Sequence, residues 1–364
     1  MLPPLAVETT IVAICSKRSF SKKSKSPSPI NNCLRITNAT QAKKAFLAQR
    51  SAFNIAPLFR YQPSSPSKSF FKYSIPETEW FSLSQRIISS TITKHGTYSS
   101  FSSSIFGSVI LAPSAVLTFI NNYITSLKVS KALTIKYKRD MISPFAVSNS
   151  TLFIRLPLTS MTLIEVTSMC HHELSTHFLR YFNQKRLPKG LRSTFKEIEI
   201  LQTEEGLATL NTILSWNNKS IFKAAWHYYS CVKAQNMTFT ELFNHLLNFL
   251  GKNSLKQHQE LCWEECLRVK RGIHVTSNGS FAKDQVYLIG LLKLLKFRRN
   301  INWKLLYSGI FAVEDLPRLQ SIVDVSDVKM PVFYHSDAQY VALLDQIVID
   351  NGLEDIVGNG DVLL

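Results

Sequence analysis

The stretch Cys170-His171-His172-Glu173-Leu174-Ser175-Thr176-His177-Phe178-Leu179-Arg180 constrains this chain more than any other. It places two imidazoles and a carboxylate within two helical turns, directly after an apolar segment that would bury them, and that donor set at close range is what a catalytic zinc ion needs. His172 and His177 stand at i and i+5. The familiar zinc-binding pair is i, i+4, which rotates the second histidine by only ~40° on an ideal helix, whereas i, i+5 is about 140°. Both reach one ion only if the helix takes an extra residue into a turn, as a single-turn π-bulge does. Glu173 would then project beside the metal, where a carboxylate can take the proton of a water acidified by the ion. An ordinary helix is the plain alternative, because histidine pairs flanking a glutamate also arise by chance.

A catalytic zinc ion keeps three protein ligands. Downstream, Thr203-Glu204-Glu205-Gly206-Leu207-Ala208-Thr209-Leu210 supplies two carboxylates at the expected opening of an amphipathic helix, from about Glu204 to Leu214. Acids in a first turn also meet the helix dipole favourably, so a cap accounts for them as well.

These two blocks resemble the paired signature of the microtubule-associated tyrosine carboxypeptidases of animals and of their bacterial relatives named for a Gln-Glu-Gly-Leu-Ala motif. A third block is similar in residue type and order: Cys266-Leu267-Arg268-Val269-Lys270-Arg271-Gly272, then Thr276-Ser277, then Phe281-Ala282-Lys283-Asp284-Gln285-Val286-Tyr287-Leu288 with Gly290. The resemblance runs from about Lys94 to about Asp355. It implies a metallocarboxypeptidase with one zinc ion that removes the terminal tyrosine of α-tubulin. It puts metal ligands on His172, His177 and Glu205, and the general base on Glu173. Its implied partners are the α-tubulin C-terminal tail and microtubules. Two positions depart from the family pattern: Ser175 stands where the family has Gly, and Val275 replaces an acid, with a shortened turn at Asn278-Gly279 after it. A serine inside a helix can bond back to the preceding turn and bend it. Both departures concern substrate fit more than metal binding, and a catalytically inactive microtubule-binding protein on the same fold is the alternative function.

A carboxypeptidase also needs a cation for the terminal carboxylate of its substrate, and a guanidinium suits a planar carboxylate because it makes two parallel hydrogen bonds. Arg271, between Lys270 and Gly272, is the first candidate. Lys270 and Lys283 are further ones, and Tyr287 is a candidate donor to a developing oxyanion. A solvated basic run accounts for each of them equally well.

The net charge of +17 over 364 residues is uneven. Through Pro76 there are twelve Lys and Arg against one acid, Glu8, so about +11 lies in that stretch and about +6 in the remainder. Residues 1–76 are rich in Ser, Lys and Pro, and such a segment has little to bury, which predicts a disordered basic tail before a single metallopeptidase domain over 77–364. A flexible cation suits the acidic microtubule surface or nucleic acid, and a dispensable tail or an organellar transit peptide fits too, although Glu8 and Pro3-Pro4 count against the last. No nucleic-acid-binding module is recognisable. The apolar run from Ile11 to Cys15 is too short for a secretory signal.

The hydrophobic content of 45% is enough for a sizeable core. The apolar run from Ile105 to Ile120 is shorter than the ~20 residues a membrane span needs, so Pro113 is expected to start a buried helix instead. Alternation over Leu133–Lys138 and Thr151–Leu156 predicts strands beside the metal helix, placed to hydrogen-bond an extended peptide. Helices are predicted at about 220–235, 238–250, 283–298 and 340–348. The expected class is α+β, predominantly helical with a small antiparallel sheet beside the metal-binding helix. Cysteines 15, 33, 170, 231, 262 and 266 lack paired Cys-x-x-Cys spacing, so reduced thiols in a cytoplasmic, cytoskeleton-associated protein are expected.

Overall fold

The computed structural model describes residues 33–49, 53–64, 75–139, 141, 143–251 and 255–358. These fall into two compact units, one of residues 1–85, 140–142 and 226–285, the other of residues 86–139, 143–225 and 286–364. The sequence predicted one domain after residue 76.

In the first unit, strands β1 (Cys33–Ile36) and β2 (Tyr61–Ser64) pair antiparallel around helix α1 (Ala39–Leu47). This corrects the expectation of a featureless tail for these residues. Helix α1 buries Ala39, Ala42 and Phe46 at helical spacing, a pattern diluted by the Ser, Lys and Pro around it. Residues 1–32, 50–52 and 65–74 of the expected tail lie outside the described residues. Phe46 packs against Phe53, Phe243 and Trp263 with centroids 4.9 to 5.4 Å apart.

The chain also contributes to this unit the main part of α8 (Phe222–Ala234), with α9 (Phe239–Leu250) and α10 (Lys256–Val269). Helix α9 opens on a capping box, Thr238 with Glu241, and buries Phe239, Leu242, Phe243, Leu246, Leu247 and Leu250 along one face. Cys262 and Cys266 lie buried and unpaired on α10.

The second unit contains most of α2 (Phe81–His95), then α3 (Tyr98–Phe106), β3 (Ile110–Leu111) and α4 (Pro113–Ser126). Pro113 occupies the first turn of α4, where its missing N–H is harmless. Strands β4 (Thr134–Lys138), β5 (Phe145–Ser148) and β6 (Thr151–Arg155) form a sheet in the order β4-β6-β5. The sheet is mixed, because β4 runs parallel to β6 and β5 antiparallel to it. Strand β7 (Met161–Thr162) pairs with β3 and leads through the Thr162–Glu165 capping box into α5 (Leu163–Met169).

The nine residues Cys170–Phe178 continue that helix with π geometry before α6 (Leu179–Gln184) resumes the α form. Helix α7 (Glu197–Leu214) follows, and α11 (Val286–Phe297) crosses it. Helices α12 (Trp303–Tyr307), α13 (Leu316–Leu319), α14 (Asp337–Asp350) and α15 (Glu354–Val357) complete the unit. No described helix is long and apolar enough to cross a membrane.

Helix α7 begins seven residues before the predicted start, at Glu197 rather than Glu204. Glu204 and Glu205 therefore sit in mid-helix, far from the dipole's end, and the capping account of them is withdrawn. The crossing with α11 is closed by glycines. A Cβ on Gly206 would overlap the Gly290 backbone, and one on Gly290 would overlap the Gln202 carbonyl.

Candidate metal centre

The i, i+5 spacing of His172 and His177 is resolved by nine residues of π-helix, a longer departure than the single bulge the spacing predicts. At roughly 4.4 residues per turn, five residues bring a side chain almost back to its own face. The two rings face each other, with centroids 4.9 Å apart. Within Cys170–Phe178 only His172, Glu173 and His177 escape full burial, so one open face carries all three. His171 points the other way. Its Nδ1 lies 3.0 Å from the Asn211 carbonyl, its ring packs on Phe333, and burial pushes its pKa down to about 4, which keeps it neutral.

Helix α7 supplies the third donor. Glu205 and Thr212 are seven residues apart and so share a face. Glu205 Oε2 lies 3.6 Å from His172 Nε2 and 3.7 Å from His177 Nε2. These separations are too long for hydrogen bonds, and Oε2 is buried with no hydrogen-bond partner. A buried carboxylate oxygen without a partner is costly unless something positive completes it. The three donor atoms cluster together, and the 3.6 and 3.7 Å separations from Glu205 Oε2 fall within the ~4.2 Å that two bonds of about 2.1 Å to one shared ion can span. Burial pushes the Glu205 carboxyl up, and the two histidines more than reverse this, holding it well below the usual range.

Each imidazole is oriented from its far side. Thr212 Oγ1 donates to the Ala208 carbonyl at 2.8 Å, so toward His172 Nδ1, 3.2 Å away, it acts as an acceptor. Glu204 Oε1 accepts from His177 Nδ1 at 2.8 Å. Both far-side acceptors favour a proton on Nδ1, so Nε2, which faces Glu205 in each ring, is the nitrogen that a metal ion would take in place of a proton. Glu204 in turn receives the guanidinium of Arg180, which is fully buried and also donates to the carbonyls of Leu306, Gly309 and Phe311. Burial pushes the Glu204 carboxyl up, and Arg180 with His177 brings it below its ordinary value.

Glu173 lies on the same open face but meets the sheet, where its Oε2 accepts from the Val147 N–H of β5 at 2.7 Å. Ser175, one of the departures from the family pattern, does not bond back along its helix. It is fully buried, with its Oγ 2.7 Å from the Tyr123 hydroxyl of α4.

The structure thus brings His172, His177 and Glu205 together in the second unit, with Glu173 next to His172 in the chain but bonded to β5, and Tyr287 lies half-buried in the first turn of its helix α11, three residues before Gly290. Arg271, Lys270 and Lys283 belong to the first unit. Lys270 is almost fully buried, and its ammonium donates to the carbonyls of Ala234, Met237, Ser277 and Gly279. Arg271 lies 3.3 Å from Asp284 and over the Phe281 ring, and Lys283 is half-buried on a 3₁₀ turn at Ala282–Gln285. The supporting roles of Glu204, Thr212 and Arg180 were not read from the sequence. Glu204, adjoining the family's third ligand, was the one local signal.

The sequence profile of the microtubule-associated tyrosine carboxypeptidase family matches residues 108–348. The chain is 30% identical to the mouse protein named microtubule-associated tyrosine carboxypeptidase 1, over 94% of this chain and 73% of that protein. The rat protein of the same name is also 30% identical, over 94% and 73%. The human one is 30% identical over 88% of this chain and 68% of its own length.

Proposed function

The chain belongs to the microtubule-associated tyrosine carboxypeptidase family, and from that premise we propose that it is a zinc-dependent metallocarboxypeptidase that removes a C-terminal residue, the terminal tyrosine of α-tubulin. The observation that carries the reading is the convergence of His172, His177 and the partnerless Glu205 oxygen, with both imidazoles oriented from behind. Those three residues would hold one zinc ion, which when bound supplies Lewis-acid polarisation of the scissile carbonyl and lowers the pKa of water.

Glu173 is the general base. It takes a proton from the attacking water and passes it to the leaving amine. The Val147 N–H holds its carboxylate on the open face meanwhile. Strand β5 is an edge, and because the Arg155 N–H bonds to the Pro144 carbonyl, the peptide groups of residues 145 and 147 turn away from β6. An extended substrate can align along that edge, with the Val147 N–H already committed to Glu173. Tyr287, one turn from the Gly206–Gly290 crossing beside Glu205, is the proposed donor to the developing oxyanion. The complete donor set with Glu173 supports catalysis over a scaffold that only binds microtubules. A cytoplasmic, microtubule-associated location follows from the same reading.

The test is release of free tyrosine from an α-tubulin tail peptide by the purified chain. Chelation should stop it, zinc should restore it, and Glu173→Gln should lose it while still binding zinc. An intact peptide in the presence of protein carrying one zinc per chain would overturn the reading.

A further inference from the structure

A π-helix is rare and mostly confined to a single turn, so nine residues of it at Cys170–Phe178 need a restraint from outside the segment. One side chain marks the step. Thr125, Thr167, Thr209 and Thr212 each donate to the carbonyl four residues back, as a threonine in an α-helix does, whereas Thr176 Oγ1 donates to the His171 carbonyl, five back, at 2.9 Å. The Leu179 N–H likewise reaches the Leu174 carbonyl.

Asn211 of α7 holds both ends of that step. Its Nδ2 donates to Thr176 Oγ1 at 2.7 Å, and its carbonyl accepts from His171 Nδ1 at 3.0 Å. Because the threonine hydrogen is already given to His171, Oγ1 acts as the acceptor, which fixes the orientation of the amide. The other Nδ2 hydrogen goes to the Tyr307 hydroxyl and Oδ1 accepts from the Tyr340 hydroxyl, each at 2.7 Å, so both donors and the oxygen are engaged. Asn211, Thr176, Tyr307 and Tyr340 are fully buried, where no water competes for these bonds. Asn211 and Glu204 are seven residues apart and share a face of α7, as Thr212 and Glu205 do. Helix α7 therefore grips two neighbouring i, i+5 pairs: 171 and 176 through Asn211, 172 and 177 through Thr212, Glu204 and Glu205. On an ideal α-helix residues 171 and 176 would stand about 140° apart, beyond the reach of one asparagine. We propose that Asn211, acting through Thr176, is a positioning residue that locks the π register and so brings His172 and His177 to one ion. The proposal rests on the metal-centre reading and is independent of the substrate.

The experiment reads metal binding in variants of the full chain. Thr176→Val keeps the shape of the side chain and removes the hydroxyl. Asn211→Asp leaves a carboxylate that can only accept, so the Thr176 hydroxyl must turn from His171 to meet it. Competition with a chromophoric chelator should show zinc held on the order of tenfold more weakly in each. Cobalt in place of zinc should show a weakened visible absorption, because one imidazole no longer stays in the ligand set. Thr176→Ser restores the hydroxyl and should recover both readings. Tyr340→Phe removes a hydrogen bond of the same amide that does not reach the π segment, so its melting temperature should fall about as far as that of Thr176→Val, with zinc affinity and cobalt spectrum at wild-type values. Wild-type zinc affinity in Thr176→Val, or an equal loss in Tyr340→Phe, overturns the proposal and leaves a network that only stabilises the fold. Hydrogen exchange of the metal-free protein separates the lock from the metal. Amides of residues 174–178 should quicken in Thr176→Val and not in Tyr340→Phe, and equal quickening in both overturns the lock. The expected pattern in a chain that takes up no zinc would strike the metal centre and leave the lock supported.

Discussion

Gly206 and Gly290 meet backbone to backbone where α7 crosses α11, and neither has room for a Cβ. The contact sits one residue from Glu205, so the closeness of the two helices sets how far that carboxylate reaches toward the histidines. Gly290→Ala would force the helices apart or twist one of them. Overpacking of this kind costs about 1–3 kcal/mol or more, which for a chain of this size lowers the melting temperature by several degrees. Calorimetry with and without zinc should show a lower midpoint and a smaller stabilisation by the metal. An unchanged midpoint would mean that the crossing is looser than described.

Glu204 holds His177 by its Nδ1 and is itself held by Arg180. Glu204→Gln keeps an oxygen for the ring but turns an amide toward a buried guanidinium. Loss of such a partner to a metal-binding histidine lowers metal affinity by about 10- to 100-fold. Competition with a chromophoric chelator measures it directly. Glu204→Ala should do worse, because an uncompensated buried arginine costs about 3–5 kcal/mol, and the protein should melt early. Affinity equal to wild type in the glutamine variant would remove Glu204 from the support of the site.

Ser175 and Tyr123 form a buried hydroxyl pair between the π-helical segment and α4. Ser175→Ala leaves the Tyr123 hydroxyl without its partner, at a cost of about 1–3 kcal/mol. Tyr123→Phe should cost a similar amount alone, and the double variant should be closer to wild type than the sum of the two. Denaturant unfolding of the four proteins gives the coupling. Strict additivity would show that the pair contributes nothing to stability, and the departure from glycine at 175 would then need another explanation.

Local spacing made part of this site legible. His172 and His177 at i, i+5 called for π geometry, and the Glu-Gly pair at 205–206 named the third donor through the family pattern. What stayed hidden depends on contacts between segments distant in the chain. Arg180 binds the Leu306 carbonyl, 126 residues on, and no periodicity announces that. The early start of α7 was obscured because Glu197-Ile198-Glu199-Ile200 alternates as a strand would. Strand β5 was missed for lack of length, since four residues with one buried aromatic give no pattern, although it carries the N–H that holds Glu173. Charge read residue by residue likewise suggested Lys270 as a ligand for substrate, whereas burial and four carbonyls make it the clasp of its own loop.

That clasp has a distinguishing consequence. Lys270 closes the end of α10 and holds the Ser277–Gly279 turn, and Val275 in the same loop gives its N–H to the Tyr61 hydroxyl of β2. Lys270→Met keeps the apolar stem but withdraws the donors from four carbonyls, so a loss of about 2–4 kcal/mol is expected from groups left buried without partners. The melting temperature should fall, and hydrogen exchange should quicken in residues 270–281. A role in gripping the terminal carboxylate predicts a different result, a raised KM for tyrosine-ended peptides with the melting temperature unmoved. That outcome would overturn the structural assignment of Lys270.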